Sequence, residues 1–185
     1  MSATDFEALY RADPDPWGYL ASAYEQRKYA ATLAACGAGR YSCALELGGS
    51  IGVFSALLAP RTERLITVDA SPTAVSLAIP RLAAHPQAQA IVGPIPDAVP
   101  ECPFDLVVAS EILYYLTDHE LAGTLGLLER NMLGGALLVA VHWRPSGPER
   151  PRDAERAHAE LRAAPWLTPV SRGGTADYLL EVFRR

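Results

Sequence analysis

A chain of 185 residues, half of them apolar, is long enough for one domain with a sizeable core. Sixteen basic residues against 21 acidic ones give a net charge of −5, and the two signs are interspersed, which argues against nucleic acid or an anionic membrane as the main partner. Cys36, Cys43 and Cys102 are an odd number without C-x-x-C spacing, which points to reduced thiols in a cytoplasm and away from a bound metal.

The opening Met-Ser-Ala-Thr-Asp-Phe-Glu lacks the basic and apolar regions of a signal peptide. No apolar run reaches the length of a membrane span. Asp13-Pro14-Asp15-Pro16-Trp17-Gly18 reads as a rigid polar turn before a helix over Tyr19–Ala35, which has no internal proline or glycine. Helical spacing puts Tyr24 and Lys28 on one face. Arg27 and Lys28 are candidates to receive a ligand carboxylate, and Trp17 and Tyr24 to wall an apolar cleft. A solvated basic edge beside two half-buried aromatics is the alternative.

The apolar residues Ala44, Leu45 and Leu47 then run into Gly48-Gly49-Ser50-Ile51-Gly52, and a helix-compatible segment follows at once. This predicts a buried strand, a tight turn and a helix N-terminus. Glycine lets a ligand approach the backbone closely, and free N–H groups at a helix start bind polar or anionic groups. Glu46 lies inside the predicted strand, where a carboxylate is costly to bury without a partner. The next predicted strand, Arg64–Asp69, ends in an acid placed to accept both hydroxyls of a ribose, with Ala70 beside it. Ser71 and Pro72 open a helix to about Ala84 that Pro80 kinks or shortens. A weaker strand over Ala88–Val92 leads to the stiff loop Gly93-Pro94-Ile95-Pro96.

Phe104–Ala109 is a buried central strand. Ser110, Glu111 and Tyr114 at its carboxyl end are candidates for a ligand site, whereas Tyr115 reads as packing. Thr117 and Glu120 form a capping box for a helix ending near Asn131, and Gly134-Gly135 turn into a fifth strand over Ala136–Val141. That strand delivers His142, Trp143 and Arg144. His serves as a general base near neutral pH, Arg as a fork for a carboxylate or phosphate, and Trp as a stacking wall. Pro145–Pro151 suits a lid or rim. Arg152–Ala164 reads as a surface helix, with His158 on its solvated face or, as the alternative, pointing at the cleft. Trp166–Ser171 and Ala176–Phe183 close the chain as an antiparallel pair.

The pattern E-x-G-x-S-x-G with an acid on the second strand resembles motifs I and II of class I S-adenosylmethionine methyltransferases, and departs from the G-x-G-x-x-G expected for NAD. Together DPDPW, YEQRKY, LELGGSIGVF, FDLVVASEILYYL and AVHWR resemble the NodS-like group, nodulation protein S and its bacterial relatives. The resemblance implies an α/β class I sheet of seven strands, mostly parallel, with an antiparallel C-terminal hairpin and helices on both faces. It implies one domain, with residues 1–40 as a helical cap over the cofactor site and 41–185 as the core.

It also implies S-adenosyl-L-methionine as cofactor, with S-adenosyl-L-homocysteine as product. Trp17, Tyr24, Arg27, Lys28, Glu46, Gly48, Gly49, Ser50, Gly52, Asp69, Ala70, Ile95 and Ser110 would hold the cofactor. Pro94 stands where the family often has an Asp, so Ile95 would meet the adenine by apolar contact. His142 or Glu111 would act as base, and Tyr114, Trp143 and Arg144 would meet the acceptor.

The nodulation member N-methylates the free amine of a deacetylated chitooligosaccharide. For this chain the implied acceptor is a small molecule such as an amino sugar, an oligosaccharide or a natural-product intermediate, handled by a monomer or weak homodimer. O-methylation of a hydroxyl or carboxyl, and cofactor binding without turnover, are the competing readings.

Overall fold

The structure, a computed structural model, describes residues 2–145, 147 and 150–185. Seven strands form one sheet in the order β3-β2-β1-β4-β5-β7-β6. They are β1 Ala44–Leu47, β2 Leu65–Asp69, β3 Ala88–Val92, β4 Phe104–Ser110, β5 Met132–Trp143, β6 Thr168–Gly174 and β7 Tyr178–Arg184. The strands β1 to β5 pair in parallel, and β7 pairs antiparallel with both β5 and β6.

Alternation along the strands divides the core. Leu45, Leu47, Val107, Ala109, Leu138 and Ala140 pack on one face with Leu121, Leu128 and Leu161 of the helices α5 (Asp118–Asn131) and α6 (Ala154–Ala163). Ala44, Leu65, Val108, Val139 and Val141 pack on the other with Tyr29, Phe54 and Leu58 of α2 (Ala23–Ala35) and α3 (Val53–Leu58). Glu46 points to this second face.

The order reverses direction at β1, whose neighbours are β2 on one side and β4 on the other. Open α/β sheets bind ligands in the crevice beyond the carboxyl ends of their strands at such a point.

Several elements differ from the sequence expectation. An additional helix, α1 (Ala3–Ala12), precedes the polar turn and is closed by a capping box between Ser2 and Asp5. The helix expected from Tyr19 begins at Ala23, because Asp15 accepts the N–H groups of Tyr19 at 2.7 Å and Leu20 at 3.0 Å and holds a turn there. Helix α4 (Pro72–Arg81) keeps Pro80 within its last turn and stops there. Gly134 and Gly135 belong to β5 itself, where Gly135 N–H donates to Arg185 O at 2.7 Å. Ser146, Pro148 and Glu149, in the loop expected as a lid or rim, lie outside the described residues. No described helix is long and apolar enough to cross a membrane.

Candidate active site

A cavity of about 730 Å³ opens at the carboxyl ends of β1, β2 and β4. Gly48, Gly49, Ser50 and Ile51 line one side, and Asp69, Ala70, Pro94 and Ile95 line the β2 side. Ser110, Glu111 and Ile112 come from the end of β4, and Phe6, Tyr10 and Trp17 from the N-terminal segment.

The turn after β1 is fixed by its own backbone. Gly48 and Gly49 N–H both donate to Val68 O, at 2.8 and 3.2 Å. Ser50 takes a left-handed φ of 50°, a conformation uncommon outside glycine. A Cβ on Gly49 would overlap Thr67 Oγ1, so glycine is needed there for packing. Asp69 locks the turn to the tip of β2: one oxygen accepts Ser50 N–H at 2.8 Å and the other accepts Ser71 N–H at 2.9 Å. Burial pushes the Asp69 carboxyl up, and these two bonds oppose that. Each oxygen keeps a second lone pair.

Helix α1 is latched over this end. Glu7 accepts from Ser71 Oγ at 2.6 Å and from Thr73 Oγ1 at 2.7 Å. The Tyr10 hydroxyl meets Ser50 Oγ. Glu46 is 3% exposed beneath the turn and accepts the Ser55 hydroxyl. Burial pushes its carboxyl up to about 7.

The opposite end of the cavity carries a charge cluster. Lys28 Nζ donates to Glu25 Oε1 at 2.9 Å and to Glu111 Oε1 at 2.7 Å. Glu111, at a left-handed φ of 58°, also accepts Trp143 N–H at 2.9 Å and the Tyr114 hydroxyl. Its donors therefore come from α2, from β5 and from the 3-10 turn Leu113–Tyr115. Burial pushes the Glu25 carboxyl up; Lys28 opposes that, and Glu111 adds to it. The Arg150 guanidinium sits 4.6 Å from the Tyr114 ring centre and 5.2 Å from that of Trp143.

Of the candidates read from sequence, Trp17, Tyr24, Lys28, Glu46, Gly48, Gly49, Ser50, Asp69, Ala70, Ile95, Ser110, Glu111, Tyr114 and Trp143 line this one cavity. Four do not. Arg27 is exposed on the far side of α2. Gly52 lies below the turn at φ 79°, where a Cβ would stand 2.9 Å from that of Ala78, so it serves helix packing. Arg144 turns to Glu155 at 3.3 Å, and Arg150 is the arginine in the cavity wall.

His142 is fully buried outside the cavity. Its Nε2 accepts Leu113 N–H at 3.1 Å, so its proton sits on Nδ1 and donates to His158 Nε2 at 2.9 Å. His158 Nδ1–H then donates to Glu181 Oε2 at 2.7 Å. Burial holds the His142 pKa well below 6.5. Both ring nitrogens are thus occupied within the protein, unlike those of a base facing an acceptor. His158 is likewise buried rather than solvated, on the α6 face that includes Ala154, Ala157 and Leu161. That 3.6-residue spacing was readable in the sequence.

Phe6, Tyr10, Tyr19, Glu25, Tyr29 and Arg150 line the cavity without having been singled out. For Glu25 the available signal was its spacing three residues before Lys28 on a helix. Among the described residues no group of three or more His, Cys, Asp or Glu is arranged to hold a metal ion.

The family model described as Nodulation protein S (NodS) matches residues 6–133. The chain belongs to the NodS family. It is 33% identical over 117 residues to Nodulation protein S of Sinorhizobium fredii, covering 62% of this chain and 54% of that one. To Nodulation protein S of Rhizobium tropici it is 32% identical over 130 residues, covering 69% and 55%. The chain thus spans about half the length of the curated relatives it matches.

The crystal structure of N-methyltransferase NodS from Bradyrhizobium japonicum WM9, in complex with S-adenosyl-L-homocysteine, superposes with a TM-score of 0.87 at 28% identity over 97% of both chains. A candidate methyltransferase from Pseudomonas syringae superposes at 0.76 with 34% identity, over 88% of this chain and 99% of that one. The seven-stranded sheet is the class I methyltransferase fold.

Proposed function

We propose that this NodS-family chain is an S-adenosylmethionine-dependent methyltransferase that methylates an amine on a sugar or other small metabolite. The observation that carries the reading is Asp69, held by two backbone N–H groups at the tip of β2 beside a tight glycine turn, with spare lone pairs at the cavity. That is the chemistry a ribose diol requires. The residues present fit the rest of the cofactor. Pro94 and Ile95 offer an apolar contact for adenine, and Gly48 to Ser50 permit close backbone approach. Lys28, expected to receive a ligand carboxylate, is instead engaged by Glu25 and Glu111.

When bound, S-adenosylmethionine supplies a methyl on a sulfonium, which is already a good leaving group. The chain has to align a lone pair with that methyl and exclude water. Phe6, Tyr10 and Trp17 provide the apolar cover. Tyr114, Trp143 and Arg150 wall the acceptor end, in the role expected of Tyr114, Trp143 and Arg144. Lys28, the Tyr114 hydroxyl and Trp143 N–H fix Glu111 in place, so it positions this wall. A cavity of about 730 Å³ lies well within the range of small-molecule sites. That the Bradyrhizobium relative is an N-methyltransferase crystallised with S-adenosylhomocysteine supports both the cofactor and the amine.

The test is incubation with S-adenosylmethionine and paired acceptors that differ only in carrying an amine or a hydroxyl, glucosamine against glucose among them, read by mass spectrometry. Methylated amines are expected. Methylated hydroxyls, or cofactor binding with no product from any pair, would overturn this reading.

A further inference from the structure

The acceptor end of the cavity gathers two carboxylates, the buried Glu25 and the part-buried Glu111, with Lys28 between them and the Arg150 guanidinium against Tyr114 and Trp143. Glu25 and Glu111 share the single ammonium of Lys28, at 2.9 and 2.7 Å. Glu111 is complete, since both its oxygens accept donors from the protein. Glu25 is not. Only 8% of it is exposed, and its Oε2 is buried with no hydrogen-bond partner among the described residues. The hydroxyl of Tyr24 beside it is also buried without one, and both residues line the cavity. A buried carboxylate oxygen without a donor is unfavourable until one reaches it.

We propose that Glu25 Oε2 receives an N–H of a cationic amine acceptor, holds its nitrogen at the Ser110–Glu111 end of the cavity, and takes one of its protons there. This rests on the methyltransferase reading and narrows the acceptor to amines that are charged in solution. An ammonium brings the missing donor. A carboxylate acceptor would instead add a third negative group to the cluster.

The ammonium would give one proton to the Glu25 carboxylate, and the electron pair freed on nitrogen would form the N–C bond to the donor's methyl as the S–C bond breaks and its pair leaves on sulfur as a neutral thioether. The carboxylic acid then loses that proton to solvent as product leaves. Glu111 is less suited to this role because its oxygens are already engaged, and His142 because it lies outside the cavity.

Sinefungin tests this without knowledge of the acceptor, because it carries a charged amine where the donor carries its methyl. Calorimetry compares it with S-adenosylhomocysteine on the wild-type chain and on Glu25→Gln, with thermal melts confirming that each is folded. The wild type should bind sinefungin at least about tenfold more tightly than S-adenosylhomocysteine. Glu25→Gln should hold S-adenosylhomocysteine within about threefold of wild type and lose that preference. Should Glu25→Gln not melt cooperatively, Glu25→Asp replaces it and should show a reduced preference.

No preference in the wild type, a preference that survives in the variant, or equal loss of both ligands would each overturn the proposal. Failure of the wild type to bind either ligand is a separate outcome, which overturns the methyltransferase reading and this inference with it.

Discussion

Lys28 Nζ lies 2.7 Å from Glu111 Oε1 and joins helix α2 to the tip of β4 across 83 positions of sequence. The ammonium is 3% exposed, and Glu25 approaches it from the same helix at 2.9 Å. The contact fixes helix α2 against the strand ends, and so shapes the cavity. Lys28→Met leaves the buried Glu25 and the part-buried Glu111 facing each other with no cation between them. It should destabilise the chain by about 3–5 kcal/mol in urea unfolding. Adding Glu111→Gln should recover part of that loss. A cost below about 1 kcal/mol for the single change would mean that the cluster is well solvated.

The glycine turn gives a steric prediction with an internal control. A Cβ at Gly49 would overlap Thr67 Oγ1, whereas one at Gly134 meets nothing within 4 Å. Gly49→Ala should cost about 1–3 kcal/mol through overpacking and weaken S-adenosylhomocysteine binding, while Gly134→Ala should stay within about 0.5 kcal/mol. Equal melting temperatures for the two variants would show that the turn yields more readily than its hydrogen bonds imply.

Glu46 makes stability depend on pH. Burial raises its carboxyl from 4.5 to about 7, so the folded chain binds a proton there that the unfolded chain has released. Its contribution is greatest below about 4.5 and is lost as pH rises through about 7. Glu46→Gln has no proton to lose. Relative to wild type, the variant should therefore gain up to about 3 kcal/mol between pH 4.5 and pH 8. Urea unfolding of both chains at the two ends of this range checks it. A difference that does not change with pH would show that Glu46 keeps an ordinary pKa.

His142 links β5 to the turn that carries Tyr114, through Leu113 N–H, and its other nitrogen meets His158. His142→Leu strands both partners in the core and should cost about 2–4 kcal/mol. S-adenosylhomocysteine affinity of the folded variant should remain within about threefold. A base in contact with the acceptor would behave differently, leaving stability near wild type and lowering turnover alone.

The parts of the site that were legible in the sequence are those whose chemistry is local. Gly48–Gly49–Ser50 and Asp69 stand at the ends of apolar runs, and a strand's end can be read from its own residues. Positions that depend on the path of a loop were not legible. Trp143 ends β5, but the chain then turns Arg144 toward Glu155 and brings Arg150 back to the cavity. His142 continues the inward alternation of β5, which buries it beside His158 instead of presenting it to a ligand. Helix α1 gains its place from contacts of Glu7 and Tyr10 with residues far along the chain, and no local pattern encodes those.

Calorimetric titration of S-adenosylhomocysteine into the wild type and into Asp69→Asn tests the central claim most directly. The account predicts saturable binding to the wild type. It predicts at least about tenfold weaker binding to the variant, which loses the charged acceptor for the ribose hydroxyls but keeps a side chain of the same size. No binding by the wild type at about 1 mM ligand, or equal affinity in the two chains, would contradict it.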